Sequence, residues 1–265
     1  MKKLALLMIP ASLALAGCNF NNDGISKEEA QKIAQSIDEE AENIKNIEFS
    51  FTAEAAEGKG EDHKETNTSM ILKQNEDTTY YLRSSNPNGD YTEMMHVFDE
   101  EYEEVIFMVA KSGEATRKSA LVKKDNAMFG LGAAMMELAT IMIKSMYATY
   151  ATPYETLLSK DDATADDEFN STITFESSGE KNLVIKGHSE LKDMSKVTDN
   201  EETRVSADFR VEYENLRLSK ISTVSRSNYN NESKYDIGVS YSDTAYSFAL
   251  PADWTNYIED LSTVK

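Results

Sequence analysis

Apolar and polar positions change period several times along this chain. Ala30, Ile33, Ala34, Ile37, Ala41 and Ile44 recur at spacings of three and four, with Lys, Gln, Asp and Glu between them. That is the pattern of a helix with one buried stripe. Ser26 and Glu29 have capping-box spacing at its start, and Ile25 is placed to staple against Ala30. A helix to about Lys45 is predicted. The period then falls to two: Ile47, Phe49, Phe51, Ala53 and Ala55 alternate with Glu48, Ser50, Thr52 and Glu54, as in a strand with one wet face. Further strands are predicted over 63–74, 78–84, 91–98, 103–111 and 115–123, separated by Asn75-Glu76-Asp77, Asn86 to Asp90, and Asp99 to Glu101. Connections this short imply antiparallel neighbours.

The most apolar stretch after the N-terminus is Ala127 to Met146. As a helix it places Met128, Leu131, Met135, Leu138 and Met142 on one face, widened by Phe129, Met136, Ile143 and Met146, and leaves only Glu137, Thr140 and Lys144 as a polar stripe. Such a helix has to be covered on most sides. It is slightly short of the roughly 20 apolar residues of a membrane span, and Glu137 would fall near the middle of the bilayer, so the expectation is burial inside a protein shell. Asp125 or Asn126 would cap it, and Gly130 and Gly132 either allow close packing or hinge it.

Thr152, Pro153 and Glu155 supply a cap, a first-turn proline and a capping-box acid for a short helix through Leu157 and Leu158. Alternation then returns around Ile173 and Phe175, Leu183 and Ile185, and Val205 to Tyr213. Leu216 and Leu218 share one parity and Ile221 the other, which predicts a bulge near Ser219. Tyr235 to Tyr241 reads as a strand, and Tyr246, Phe248 and Leu250 as a last one before Pro251. Asp253 is placed to cap a closing helix carrying Trp254, Ile258 and Leu261 on one side.

At the N-terminus, Met1, Lys2 and Lys3 precede an apolar core from Leu4 to Ala14, and small residues lead to a cysteine. Leu15-Ala16-Gly17-Cys18 resembles the lipobox of bacterial lipoproteins. The resemblance implies removal of residues 1–17 and a diacylglycerol thioether on Cys18, holding the protein on the extracytoplasmic face of a bacterial membrane. The competing reading is an ordinary cleaved signal with an incidental cysteine. Because Cys18 is the single cysteine, no internal disulfide competes for it. Residues 18–25 read as a polar tether, and 26–265 as a single domain held by its core alone.

Charge narrows the partners. With 47 Asp and Glu against 27 Lys and Arg, the chain repels phosphate backbones and anionic head groups, so no nucleic-acid partner is expected. Asp161, Asp162, Asp166 and Asp167 lack the ligand spacing of a calcium loop. His63, His96 and His188 lie in separate segments without metal spacing, and each reads as an exposed histidine. There is no free thiol after anchoring, no Gly-x-Ser-x-Gly elbow and no phosphate-cradling loop, Gly130-Leu131-Gly132 being incomplete. The sequence therefore calls for no enzyme, no cofactor and no metal. Glu137 is either a buried acid with a raised pKa or a member of the polar stripe.

The order of lipobox, polar tether, amphipathic helix, antiparallel strands, apolar central helix, more strands and a final Tyr-x-Phe-x-Leu-Pro segment resembles the lipoprotein-carrier fold of LolA and LppX type. That resemblance implies an α+β fold: a strongly curved antiparallel sheet, an unclosed β-barrel, with an N-terminal helix and the central apolar helix on its concave side. It also implies a hydrophobic ligand, a lipid or acyl chain, in a half-barrel cavity under the 127–146 helix. Met128, Leu131, Met135, Met136, Leu138, Met142 and Met146 would line one wall and Phe49, Phe51, Val205, Phe209 and Val211 the other, with Met94, Met95 and Met108 on strands adding side chains that repack around acyl chains. The alternative is a cell-surface structural or interaction lipoprotein with a filled core and an unspecified protein partner.

Overall fold

Ser26 starts the first helix as its spacing predicts. Its Oγ accepts from the Glu29 N–H at 3.2 Å, while Glu29 Oε2 accepts from the Ser26 N–H at 3.0 Å, and helix α1 runs over Lys27–Ala41. The computed structural model describes residues 18–20, 24–57, 64–123, 145, 147–158, 169–191, 206–227 and 231–258. Helix α1 stops short of Ile44. The Asn43 N–H closes onto Glu40 O at 3.0 Å, a tightened last turn, and Asn46 already begins a strand. Ile44 continues the helical spacing of Ile37 and Ala41, so the pattern alone overextends the helix.

The strands are β1 (Cys18–Phe20), β2 (Asn46–Glu57), β3 (Lys64–Gln74), β4 (Tyr80–Ser85), β5 (Tyr91–Asp99), β6 (Glu103–Ser112), β7 (Ala115–Val122), β8 (Phe169–Glu176), β9 (Leu183–Leu191), β10 (Ser206–Glu214), β11 (Arg217–Ser227) and β12 (Asn231–Ser242). They hydrogen-bond in the order β1-β8-β9-β10-β11-β12-β2-β3-β4-β5-β6-β7. The runs β8 to β12 and β3 to β7 pair antiparallel, as short connections dictate. Strand β1 adds to β8 in parallel, Cys18 opposite Ser171. The order ends at β1 and β7, so among the described residues the sheet is antiparallel but for β1, and unclosed.

By internal contacts the chain divides into two compact units. Unit 1 comprises Met1–Asn43, Ala53–Thr66 and Tyr147–Gly238; unit 2 comprises Ile44–Thr52, Asn67–Met146 and Val239–Lys265. Residues 1–17, expected to be a signal, and the 127–146 segment, Ser145 apart, lie outside the described residues, as do His63 and Val205. Among the described residues no helix is long and apolar enough to cross a membrane.

The bulge falls where the parity switch predicts. Glu212 pairs with Lys220 and Tyr213 with Leu218, which leaves Ser219 as the extra residue, its Oγ donating to Glu212 O at 3.0 Å.

Four expectations are corrected. Residues 245–250 are not a strand; Tyr246 finds its polar partner in a side chain, the carboxamide of Asn75. Asp253 makes no side-chain cap: its carboxylate accepts from the Tyr257 hydroxyl at 3.1 Å, and the closing helix is a single 3₁₀ turn, Trp254–Tyr257, because Ile258 turns extended and bridges Ala120 of β7. The Tyr154 and Glu155 N–H groups, predicted partners of Thr152, donate instead to the Asp38 carboxylate at 3.1 and 3.0 Å. His96 is buried rather than exposed, because both of its ring nitrogens find acceptors inside unit 2.

Candidate functional site

Alternation on each strand, carried across the ladder register, builds apolar rows. In unit 1, Phe175, Ile185, Val211, Ile221 and Ile237 stand opposite one another across β8 to β12, all nearly free of solvent contact. The next row contains Ile173, Gly187 and Phe209. A Cβ on Gly187 would meet the Phe209 ring at 1.9 Å, so the ring lies across the glycine and fills that space. Phe209 and Val211, named from the sequence for a cavity wall, are both buried in this unit.

Helix α1 and the turns from 147 to 158 bury their apolar residues in the same unit. Ala30, Ala34 and Ile37 of α1, and Tyr150, Ala151, Leu157 and Leu158, are buried. Small residues at 30 and 34 let the helix axis approach closely. The π-helical turn Tyr154–Leu158 is tied to α1 at both ends: Gln31 Nε2 donates to Leu158 O at 2.8 Å, and Asp38 accepts at Tyr154 and Glu155. Burial raises the Asp38 carboxyl above its ordinary range even though those two N–H groups pull it down. Arg217 Nε and Nη2 both donate to Glu40 Oε1, at 3.0 and 2.6 Å. The Tyr213 hydroxyl donates to Tyr150 O at 2.8 Å, a buried bond joining sheet to helical turns.

Unit 2 is apolar on both faces of its sheet. On one, Val97, Val105, Phe107, Ala120 and Val122 pack around Trp254, with Phe248, Leu250, Tyr257 and Ile258 of the C-terminal segment alongside. Trp254 meets Tyr102 edge-on, centroids 5.3 Å apart. On the opposite face, the register aligns Leu72, Leu82, Met94, Met108 and Ser119 across β3 to β7, and Tyr80, His96, Ile106 and Leu121 in the next row. Ile106 and Leu121 are buried; Tyr80, Met94 and Met108 are partly buried around them. Phe98, beside His96 at 5.8 Å between ring centroids, is 55% exposed. This face joins flexible thioether side chains to aromatic edges, a surface suited to apolar matter of variable shape.

A polar knot closes one end of that face. His96 Nε2 lies 3.0 Å from Glu104 Oε2 and Nδ1 lies 3.3 Å from Thr78 O. Glu104 also accepts from the Lys123 ammonium, and that bond first, with His96 second, holds its carboxyl below the usual range against the effect of burial. The wet face of unit 1 carries a ladder of ion pairs, including Arg226 on Asp208 at 2.6 Å, where the His188 ring also hydrogen-bonds at 2.6 Å. Each is half-exposed, so the ladder adds little stability and much solubility.

Of the residues chosen from the sequence, Phe49 is buried and Phe51 half-buried in β2, both in unit 2, while Phe209 and Val211 belong to unit 1. Val205, Met128, Leu131, Met135, Met136, Leu138, Met142 and Met146 lie outside the described residues. Cys18 is in the edge strand β1. On the Tyr80 face, Met94 and Met108 are the strand methionines that the sequence offers for acyl chains, and Tyr80 joins them through the register. The signal of this face was the unbroken apolar run Val105-Ile106-Phe107-Met108-Val109, which marks a strand buried on both sides.

No family model matches the chain, and no curated protein matches it. Solved structures to which it is similar include a DUF1329 family protein from Desulfovibrio piger, at 10% identity over 86% of this chain and 95% of that one, with a TM-score of 0.23. A putative outer membrane lipoprotein-sorting protein domain from Vibrio parahaemolyticus matches at 7% identity over 87% and 98%, TM-score 0.23. A LolA superfamily protein from Nitrosomonas europaea matches at 12% identity over 86% and 98%, TM-score 0.17.

Proposed function

We propose that this protein is a non-enzymatic, extracytoplasmic lipoprotein, anchored through diacylglycerol on Cys18, that holds a hydrophobic ligand such as an acyl chain against the apolar sheet face of unit 2. The observation that carries this reading is the pairing of Met94 with Met108 beside Tyr80, on a sheet whose other face is already packed by Trp254 and its neighbours. Burial of ligand against such a surface is favourable by about 25 cal/mol per Å² of apolar area, and methionine adapts to chains of differing length. The Leu15-Ala16-Gly17-Cys18 motif supports the anchor and the address. No constellation of nucleophile and base in the sequence speaks for catalysis.

A second reading, a surface module with a filled core, draws support from unit 1, where the Phe209 ring occupies the space above Gly187. The two readings separate on Met108→Trp. If the face takes up ligand, binding of a dansylated fatty acid falls several-fold in this variant while its urea midpoint stays near the parent's. Equal uptake by parent and variant, or none by the parent, contradicts the proposed site.

A further inference from the structure

The register of β1 fixes which end of unit 1 an anchored Cys18 would bring to the membrane. Strand β1 runs parallel to β8 with Cys18 opposite Ser171, Asn19 opposite Thr172 and Phe20 opposite Ile173. Across the ladder Ser171 is level with Ser189, Ser189 with Ala207, Ala207 with Ser225, and Ser225 with Ser233. The anchoring residue therefore begins as part of the sheet, one or two residues in from one end of five neighbouring strands. At the other end stand Glu176 and Val184, followed by the turn through Gly179 and Glu180. Glu176 lies five residue steps along β8 from Ser171, about 17 Å at the usual rise of a strand. A lipid attached through a free linker leaves a domain able to tumble, whereas one attached at the first residue of a paired strand holds that strand end at the bilayer.

We infer that the row of Ser171, Ser189, Ala207, Ser225 and Ser233 is the membrane-facing end of unit 1, and that the turn at Ser177 to Asn182 points away from the lipid surface. The inference rests on the anchoring of Cys18 proposed above. Its partner is a lipid surface of low charge, since this acidic chain is repelled by anionic head groups. The insertion of acyl chains supplies the binding, and the sheet supplies the orientation.

The test uses the full chain, expressed with its signal and reconstituted into phosphatidylcholine vesicles containing a head-group spin-labelled lipid. Once Cys18 is acylated there is no other thiol in the chain, so Asn170→Cys and Glu180→Cys, both at exposed positions, each accept a single fluorophore. Quenching several-fold stronger at 170 than at 180 supports the orientation. Equal quenching of vesicle-bound protein, or stronger quenching at 180, overturns it while leaving the anchor intact. Protein that does not float with vesicles overturns the anchor, and with it this inference.

Discussion

Gly187 on β9 and Phe209 on β10 stand opposite one another, and the ring of Phe209 occupies the place of a side chain at 187, 1.9 Å from where a Cβ would be. Neither residue explains itself alone. Glycine weakens a strand, and a phenyl ring lying flat along the sheet needs a neighbour without a side chain. Together they close a gap in the core of unit 1.

Adding one methyl group there is an overpacking experiment. Gly187→Ala is expected to destabilise the protein by about 1–3 kcal/mol, with a matching fall in the urea midpoint. In a Phe209→Leu background the same alanine should cost less. A Gly187→Ala change that leaves stability within about 0.5 kcal/mol would show that the ring is not fixed over the glycine.

Asn75 does in unit 2 what a missing strand would do. Its Oδ1 accepts from the Tyr246 N–H at 2.7 Å and its Nδ2 donates to Tyr246 O at 2.9 Å, with Thr79 Oγ1 also 2.9 Å from Nδ2. The side chain is buried. Asn75→Ala leaves both backbone groups of Tyr246 without these partners, at a cost of about 1–3 kcal/mol. Hydrogen exchange at the Tyr246 amide should accelerate well beyond that of the β5 and β6 amides. Unchanged protection at Tyr246 would remove Asn75 from this role.

The buried Tyr150 phenol contributes to stability at alkaline pH. Burial pushes the Tyr150 phenol up to about 12 from 10.0. The folded chain thus holds this proton more tightly than the unfolded chain does, so the contribution is complete below pH 10 and is lost as pH rises from about 10 towards about 12. It amounts to about 2–3 kcal/mol at most. Tyr150→Phe carries no such proton, and the loss of stability with rising pH should be shallower in this variant across that window. Parallel curves for parent and variant would place the alkaline transition elsewhere.

Local rules made much of this fold legible in the sequence. The Ser26 and Glu29 spacing placed the start of α1, and the parity switch between Leu218 and Ile221 placed the bulge at Ser219, because both signals lie within a few residues. What escaped depends on partners far along the chain. Thr152 satisfies the pattern of a cap, yet Asp38 on α1 takes the two amides. Asn75 resembles a turn residue and is one, but its carboxamide also reaches Tyr246. His96 sits on a strand whose alternation would tolerate either face, and only the approach of Glu104 and Thr78 decides for burial. The candidate face of unit 2 was half legible: Met94 and Met108 stood out as methionines, while their direct opposition across β5 and β6 is a matter of register, which composition does not carry.

Whether the unit 2 sheet face holds an apolar ligand is decided by native mass spectrometry with organic extraction, on the chain from Asn19 to Lys265 produced without signal or anchor. Co-purified lipid in stoichiometric amount, or its uptake from added fatty acid or phospholipid, is expected, with loss of that lipid in Met108→Trp. A clean apo mass that takes up neither would make both sheet faces plain core and rule the ligand out.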